Sequence, residues 1–301
     1  VHKDGEYRTT KPDTDNLQKM LKDCMTECGY WKNKTTAPKL SAISNSTSGV
    51  TVSWNVLEGA EGYNVYRKTG SSGWELITVV EDGSKTSYID RTANSGTTYT
   101  YTVRGYKGNG LSSSNKSGIS IKDLSTPKIT SLSNTTSGVT VKWGKAAGAS
   151  GYYVYRKTTG GWTKIATVKG AGTVSYTDKT AKAGVTYKYT VKAYYGSFTS
   201  SNQTSSDFRR LTTPTLKSVT SAKSGITFKW NKVTGATGYY VYRKTGNGSW
   251  VKLATVTGNS KITYLDKTAK KGVTYKYTVK AYYGTSTSYY NTKGLTIKDK
   301  Y

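Results

Sequence analysis

Side chains able to do covalent or metal chemistry are few in this sequence. Asp13 and Asp15 stand two residues apart, and Asp23 follows at a distance. A two-metal phosphodiester-cleaving centre needs several carboxylates converging on magnesium. Two ligands without a third hold the ion weakly, and the same pair can cap a helix and complement its positive end. The single histidine is His2, so no Ser-His or Cys-His couple can form in the body of the chain. Asp90, Asp178 and Asp266 recur in phase, each followed by Arg or Lys, then Thr and Ala, which suggests an Asx turn. A calcium site needs more oxygen ligands than their surroundings supply. No phosphate-cradling P-loop pattern occurs. Neither catalysis nor a cofactor is expected.

What remains is surface chemistry. The 301 residues include 27 Tyr and 7 Trp and carry a net charge of +28. That excess is uneven: residues 37–126 hold 9 basic and 7 acidic groups, residues 127–213 hold 13 and 2, and residues 214–301 hold 16 and 2. The last two segments should attract polyanions in a salt-dependent way. Lys on strand faces also keeps sheets apart and soluble. Non-specific attraction to DNA at low salt follows from the charge alone. No run of about 18 apolar residues is present, so no helical membrane span is expected. Cys24 and Cys28, the only cysteines, give no disulfide framework and no paired zinc motif. The chain opens on Val1 without a leader-like pattern, and its native start is expected to lie upstream.

The elements that must position these side chains are strands. GVTYKYTVKAYYG occupies 184–196 and returns unchanged at 272–284, with a looser copy, GTTYTYTVRGYKG, at 96–108. In it Tyr187, Tyr189, Val191 and Ala193 alternate with Lys188, Thr190 and Lys192, the period-two pattern of a half-buried strand. Val139, Val141 and Trp143 form one row of an earlier strand, and Tyr152 and Val154 the inward row of the next; the phase of WTKIATV stays open. Pro38, Pro127 and Pro214, and likewise Trp54, Trp143 and Trp230, recur at 89 and 87 residues. That period is too long for a solenoid and fits one sandwich. The reading is all-β: three units at 37–126, 127–213 and 214–301 behind a segment 1–36 with one amphipathic helix, roughly residues 15–28.

The order of residues in each unit resembles the fibronectin type III family. The likeness rests on a Trp closing the second strand, on GY-x-V-Y-R in the third, and on G-x-x-Y-x-Y-x-V in the sixth. The phrasing looks like the versions found in Gram-positive surface proteins. The resemblance implies three immunoglobulin-like β-sandwiches and makes Tyr99, Tyr187 and Tyr275 tyrosine corners, whose hydroxyls need a backbone partner. It also implies that third and sixth strands are neighbours. Tyr153, Tyr155, Lys188 and Lys192 then share an outward face, as do Tyr240, Tyr242, Lys276 and Lys280; the first unit has Asn64, Tyr66, Thr100 and Arg104 there. Such a face could stack on sugar rings and pair with phosphates or carboxylates. It could equally be a set of cross-strand pairs that solubilise an exposed sheet.

Residues 1–33 are similar to a fragment of the RusA-type Holliday-junction resolvases, through KPD-x-DNL-x-K-x-x-x-D followed by G-x-W. That likeness makes Asp13 and Asp15 remnants of metal-binding carboxylates and Lys19 a matching basic position. Where the family has a pair of aspartates after the Trp, this chain has Asn33 and Lys34. Taken together, the expectation is a non-enzymatic extracellular spacer or adhesion array, on a bacterial surface or a virion, binding a cell-wall polyanion, a glycan or a surface protein. A resolvase-related DNA-binding protein is the alternative.

Overall fold

The computed structural model describes residues 36–301 and, before them, Lys19 alone. The helix expected over residues 15–28, with Asp13 and Asp15, lies outside the described residues, Lys19 apart. From residue 36 onward every regular element is a strand. By contact density the chain falls into two compact units, Val1–Leu124 with Phe198–Ser200, and Ser125–Ser197 with Ser201–Tyr301. The first unit holds one hydrophobic core and the second holds two.

Each core lies between two antiparallel sheets. In the last sandwich the smaller sheet runs Leu216–Ala222, Gly225–Trp230, Thr263–Asp266. The larger runs Val251–Thr257, Gly238–Thr245, Thr274–Tyr283, with Ser286–Thr287 and Leu295–Lys298 both paired to Thr274–Tyr283. The middle sandwich repeats this with Ile129–Asn134, Val139–Trp143 and Ser175–Asp178 facing Thr163–Lys169, Gly151–Lys157 and Thr186–Tyr195. The first has Leu40–Ser46, Gly49–Trp54 and Ser87–Asp90 facing Glu75–Val80, Gly62–Thr69 and Thr98–Lys107.

The alternation read from the sequence fixes which side chains enter the core. Tyr189, Val191 and Ala193 are fully buried and Tyr187 nearly so, as are Val139, Val141 and Trp143, and Tyr152 and Val154. Trp54, Trp143 and Trp230 each lean on the first Tyr of the third strand, Tyr63, Tyr152 and Tyr239, with centroids 5.3, 5.4 and 5.3 Å apart. A buried phenol must find partners. The Tyr239 hydroxyl accepts from Val233 N at 3.0 Å and donates to Asn259 O at 3.1 Å, and Tyr63 and Tyr152 do the same in their own sandwiches. The tyrosine corners are present: Tyr99, Tyr187 and Tyr275 accept from Asn94, Lys182 and Lys270 N–H at 3.0, 2.9 and 3.0 Å.

The recurrent aspartates do form Asx turns, and they do more. Asp266 Oδ1 accepts from Thr268 N and Thr268 Oγ1. Its other oxygen, Oδ2, accepts from Tyr277 Oη and Arg243 Nη1, each at 2.7 Å. Asp90 and Asp178 hold Tyr101 with Arg67 and Tyr189 with Arg156 in the same way. Each carboxylate thus clasps the smaller sheet to the larger one. Burial pushes these acids up, but the donors around them outweigh it and hold all three below the ordinary carboxylate range.

Within the second unit the two cores are joined through Asn134. Its Nδ2 donates to Arg209 O and to Thr287 O, both at 3.0 Å, and its Oδ1 accepts from Leu211 N at 3.2 Å. Arg209 N donates to Ser286 Oγ, and its guanidinium lies 3.7 Å from the Tyr283 ring centre.

Candidate anion-binding faces

The strand Gly238–Thr245 is central in the larger sheet of the last sandwich, so its outward residues meet neighbours on both sides. Tyr240 is opposite Lys280 on one flank and Thr255 on the other. Tyr242 is opposite Thr278 and Lys252, and Lys244 is opposite Lys276. The middle sandwich sets Tyr153 opposite Lys192, Tyr155 opposite Thr190, and Lys157 opposite Lys188. The eight residues singled out from the sequence therefore lie on two equivalent outer faces, all half-buried: Tyr153, Tyr155, Lys188 and Lys192 on one, Tyr240, Tyr242, Lys276 and Lys280 on the other.

Two of the rings on these faces, Tyr153 and Tyr240, are already engaged by neighbours. Tyr240 stacks on Tyr282 with centroids 4.5 Å apart and planes 14° apart, and Lys252 Nζ sits 3.9 Å over Tyr240 from the opposite neighbouring strand. Tyr153 is held likewise between Tyr194, at 4.5 Å and 18°, and Lys164 Nζ at 4.7 Å. Both faces of Tyr240 and of Tyr153 are thereby covered. This corrects the expectation that these two rings form a flat platform for sugars. What the faces offer outward is ammonium groups, fixed in place by the rings beneath them, and phenol hydroxyls. Burial pushes the Tyr155 and Tyr242 phenols up, with neighbouring Tyr153 acting on the first and Tyr240 and Tyr290 on the second. Both stay neutral hydrogen-bond donors at neutral pH.

The first sandwich shares the frame but not the chemistry. Tyr106 lies against Gly62 as Tyr194 and Tyr282 lie against Gly151 and Gly238. Asn64 replaces the stacked Tyr and donates to Tyr66 Oη at 3.4 Å, while Arg104 Nε is used by Ser112 O at 2.7 Å.

Electrostatics separates the sandwiches further. Lys188 meets Asp207 at 3.7 Å in an exposed pair. The last sandwich has two acidic side chains, Asp266 and Asp299, and both are buried. Asp266 is held by Arg243, and Asp299 Oδ1 accepts from Ser221 Oγ at 2.6 Å. Its surface consequently carries many lysines and no exposed acidic side chain. Among the described residues no group of three or more His, Cys, Asp or Glu is gathered for a metal.

Several participants escape a sequence reading. Tyr194 and Tyr282 are not among the residues singled out from the sequence, although the outward row Lys188, Thr190, Lys192 continues to Tyr194. Lys164 and Lys252 escape it because a register shift between Val154 and Tyr155, and between Val241 and Tyr242, breaks the alternation that would place them. Trp250 and Tyr290 lie outside regular strands, where no period applies.

Comparison with known proteins gives three kinds of likeness. Residues 1–53 match the family model described as Endodeoxyribonuclease RusA. Exoglucanase B of Cellulomonas fimi is 28% identical over 286 residues, covering 82% of this chain. The chain spans 24% of that relative's length. Among solved structures, the FN1–FN3 domains of chicken CNTN1 align over 89% of this chain and 99% of theirs, at 17% identity and a TM-score of 0.31. A two-domain fibronectin type III segment of chicken tenascin aligns over 58% of this chain and 98% of its own, at 20% identity and a TM-score of 0.32. No described helix is long and apolar enough to cross a membrane.

Proposed function

We propose that this chain is a non-enzymatic extracellular array whose middle and last sandwiches hold an anionic polymer, such as an acidic glycan or a cell-wall polymer, against their Lys- and Tyr-bearing faces. The observation that carries this reading is the repeated pinning of Lys164 over Tyr153 and Lys252 over Tyr240. An ammonium held over a ring loses less freedom on meeting an anion than a free Lys side chain does. The partial likeness to Exoglucanase B supports a place outside the cell and near carbohydrate. The chain is expected to be retained on an immobilised acidic polysaccharide at low salt and released as salt screens the contact. A Lys164→Glu/Lys252→Glu variant should elute at clearly lower salt. Equal elution of the two proteins would overturn the reading.

A second reading rests on the RusA match over residues 1–53. It makes the chain a resolvase-related DNA-binding protein and predicts magnesium-dependent cleavage of four-way junctions, whereas the array predicts none. A virion-associated array would share the chemistry of the first reading and differ only in where the chain is mounted.

A further inference from the structure

The two equivalent faces differ at one place. Thr278 Oγ1 donates to Asn291 O at 2.8 Å, Thr190 to Gln203 O at 2.7 Å, and Thr102 to Asn115 O at 2.9 Å. These bonds put Tyr290, Asn202 and Ser114 at one structural position. Only the last sandwich has a phenol there. The Tyr290 ring lies 6.4 Å from Trp250 at 80° and 5.4 Å from Tyr289. Lys280 Nζ is 4.8 Å from the centre of Tyr290 and 5.8 Å from that of Tyr242, so one ammonium sits between two phenols.

We infer that Lys280, Tyr242 and Tyr290 form a tetrahedral-oxyanion subsite on the last sandwich, which seats the phosphodiester groups of a polyol- or sugar-phosphate polymer. This rests on the anion-binding reading of the face and names its ligand class. Three features select that class. The donors are one ammonium and two hydroxyls from three separate strands and loops, without the planar two-pronged geometry of a guanidinium. A planar carboxylate is matched best by the Arg fork, but the one Arg of this sandwich, Arg243, is turned to Asp266. No exposed acidic side chain competes for Lys280. Single-stranded nucleic acid would add base stacking on aromatic faces to its backbone attraction. Here Tyr240 is covered by Tyr282 and Lys252, and Trp250 carries Lys244 at 5.3 Å and packs toward Gly294.

The test uses the full chain and three probes at one low ionic strength: poly(glycerol phosphate), polygalacturonate and oligo(dT). Poly(glycerol phosphate) should bind tightest. Tyr290→Asn, which installs the side chain of the middle sandwich, should weaken it about 10-fold, the scale of one charge-linked hydrogen-bond site. Asn202→Tyr should strengthen it. Thermal melting of each variant verifies that the fold is kept. Unchanged affinity in Tyr290→Asn, with polyanion binding otherwise intact, overturns the subsite and leaves the broader face reading standing. Equal or tighter binding of polygalacturonate or oligo(dT) overturns the ligand class. Failure of all three probes to bind overturns both.

Discussion

Tyr282 lies face to face with Tyr240 because it also lies across Gly238, where there is no Cβ to hold it off. A Cβ on Gly238 would come 2.6 Å from the Tyr282 hydroxyl and 2.4 Å from the Val256 carbonyl oxygen. The hydroxyl can move; the carbonyl belongs to the neighbouring strand and can give only by distorting the sheet. Aromatic cover over a strand glycine is thus part of the sheet and not a surface ornament. Gly238→Ala is expected to destabilise the last sandwich by about 1–3 kcal/mol through overpacking. It should also unseat the Tyr240–Tyr282 stack. Hydrogen exchange localised to residues 238–245 in the full chain reads the first effect. Loss of Lys252-dependent anion retention reads the second.

Asp266 is the most heavily used side chain of its sandwich. Removing its charge leaves Arg243 facing a neutral partner in a poorly solvated place. Asp266→Asn should cost about 3 kcal/mol, the low end for breaking a buried pair. Tyr277→Phe keeps the Arg243 and Thr268 bonds and should cost about 1–1.5 kcal/mol. Denaturant unfolding, resolved by exchange at 263–281, distinguishes the two; equal costs would mean that the ion pair contributes nothing beyond one hydrogen bond.

The same carboxylates set the acid limit. Asp90, Asp178 and Asp266 have folded-state pKa values below the unfolded value, so their contribution is complete above about pH 4–5 and is lost as pH falls through the lowered values. Asp123 runs the other way. Burial pushes it up, the Ser95 bond opposes this, and Asp90 adds repulsion. Its ionised form therefore costs stability at neutral pH, and the cost is relieved as pH falls toward about 4. As pH falls from neutral toward about 4 the first sandwich should gain stability while the other two stay level. Asp123→Asn should abolish that gain. Exchange protection of residues 98–107 as a function of pH checks it, and a flat profile in the unaltered chain would refute it.

How much of this could be read from the sequence follows from what sets each feature. The core is legible because its determinants are local: two-residue alternation in 186–195 and 274–283, Trp at the end of a strand, Gly before the corner Tyr. The outward positions of Lys188, Lys192, Lys276 and Lys280 follow from the same alternation. Covering of the Tyr240 face is not legible, because it depends on Lys252, which only a register shift in the adjacent strand brings into line. Nor is the second role of Asp266. Its Asx turn spans two residues, but its Arg243 and Tyr277 partners lie 23 and 11 residues away on the other sheet. The Tyr290 site depends on an irregular segment whose path is set by side-chain bonds at Thr278, Ser288 and Asn291, which no period predicts.

Asn134 gives the last prediction. Its amide takes a carbonyl from each side, Arg209 O and Thr287 O, and its own carbonyl oxygen accepts Leu211 N. With a further bond to its Oδ1 from Arg210 Nη1 at 3.4 Å, a side chain bonded four ways at a joint couples the opening of both cores in the second unit. Asn134→Ala leaves three backbone groups to be satisfied by water. It should cost about 1–3 kcal/mol of coupling rather than of core stability. Calorimetry of the full chain should then show the middle and last sandwiches melting as separate events. Pairing Asn134→Ala with Ser286→Ala in a double-mutant cycle tests whether the joint acts as one unit, since the hydroxyl of Ser286 accepts Arg209 N across the same seam. Strict additivity would show that these contacts act independently.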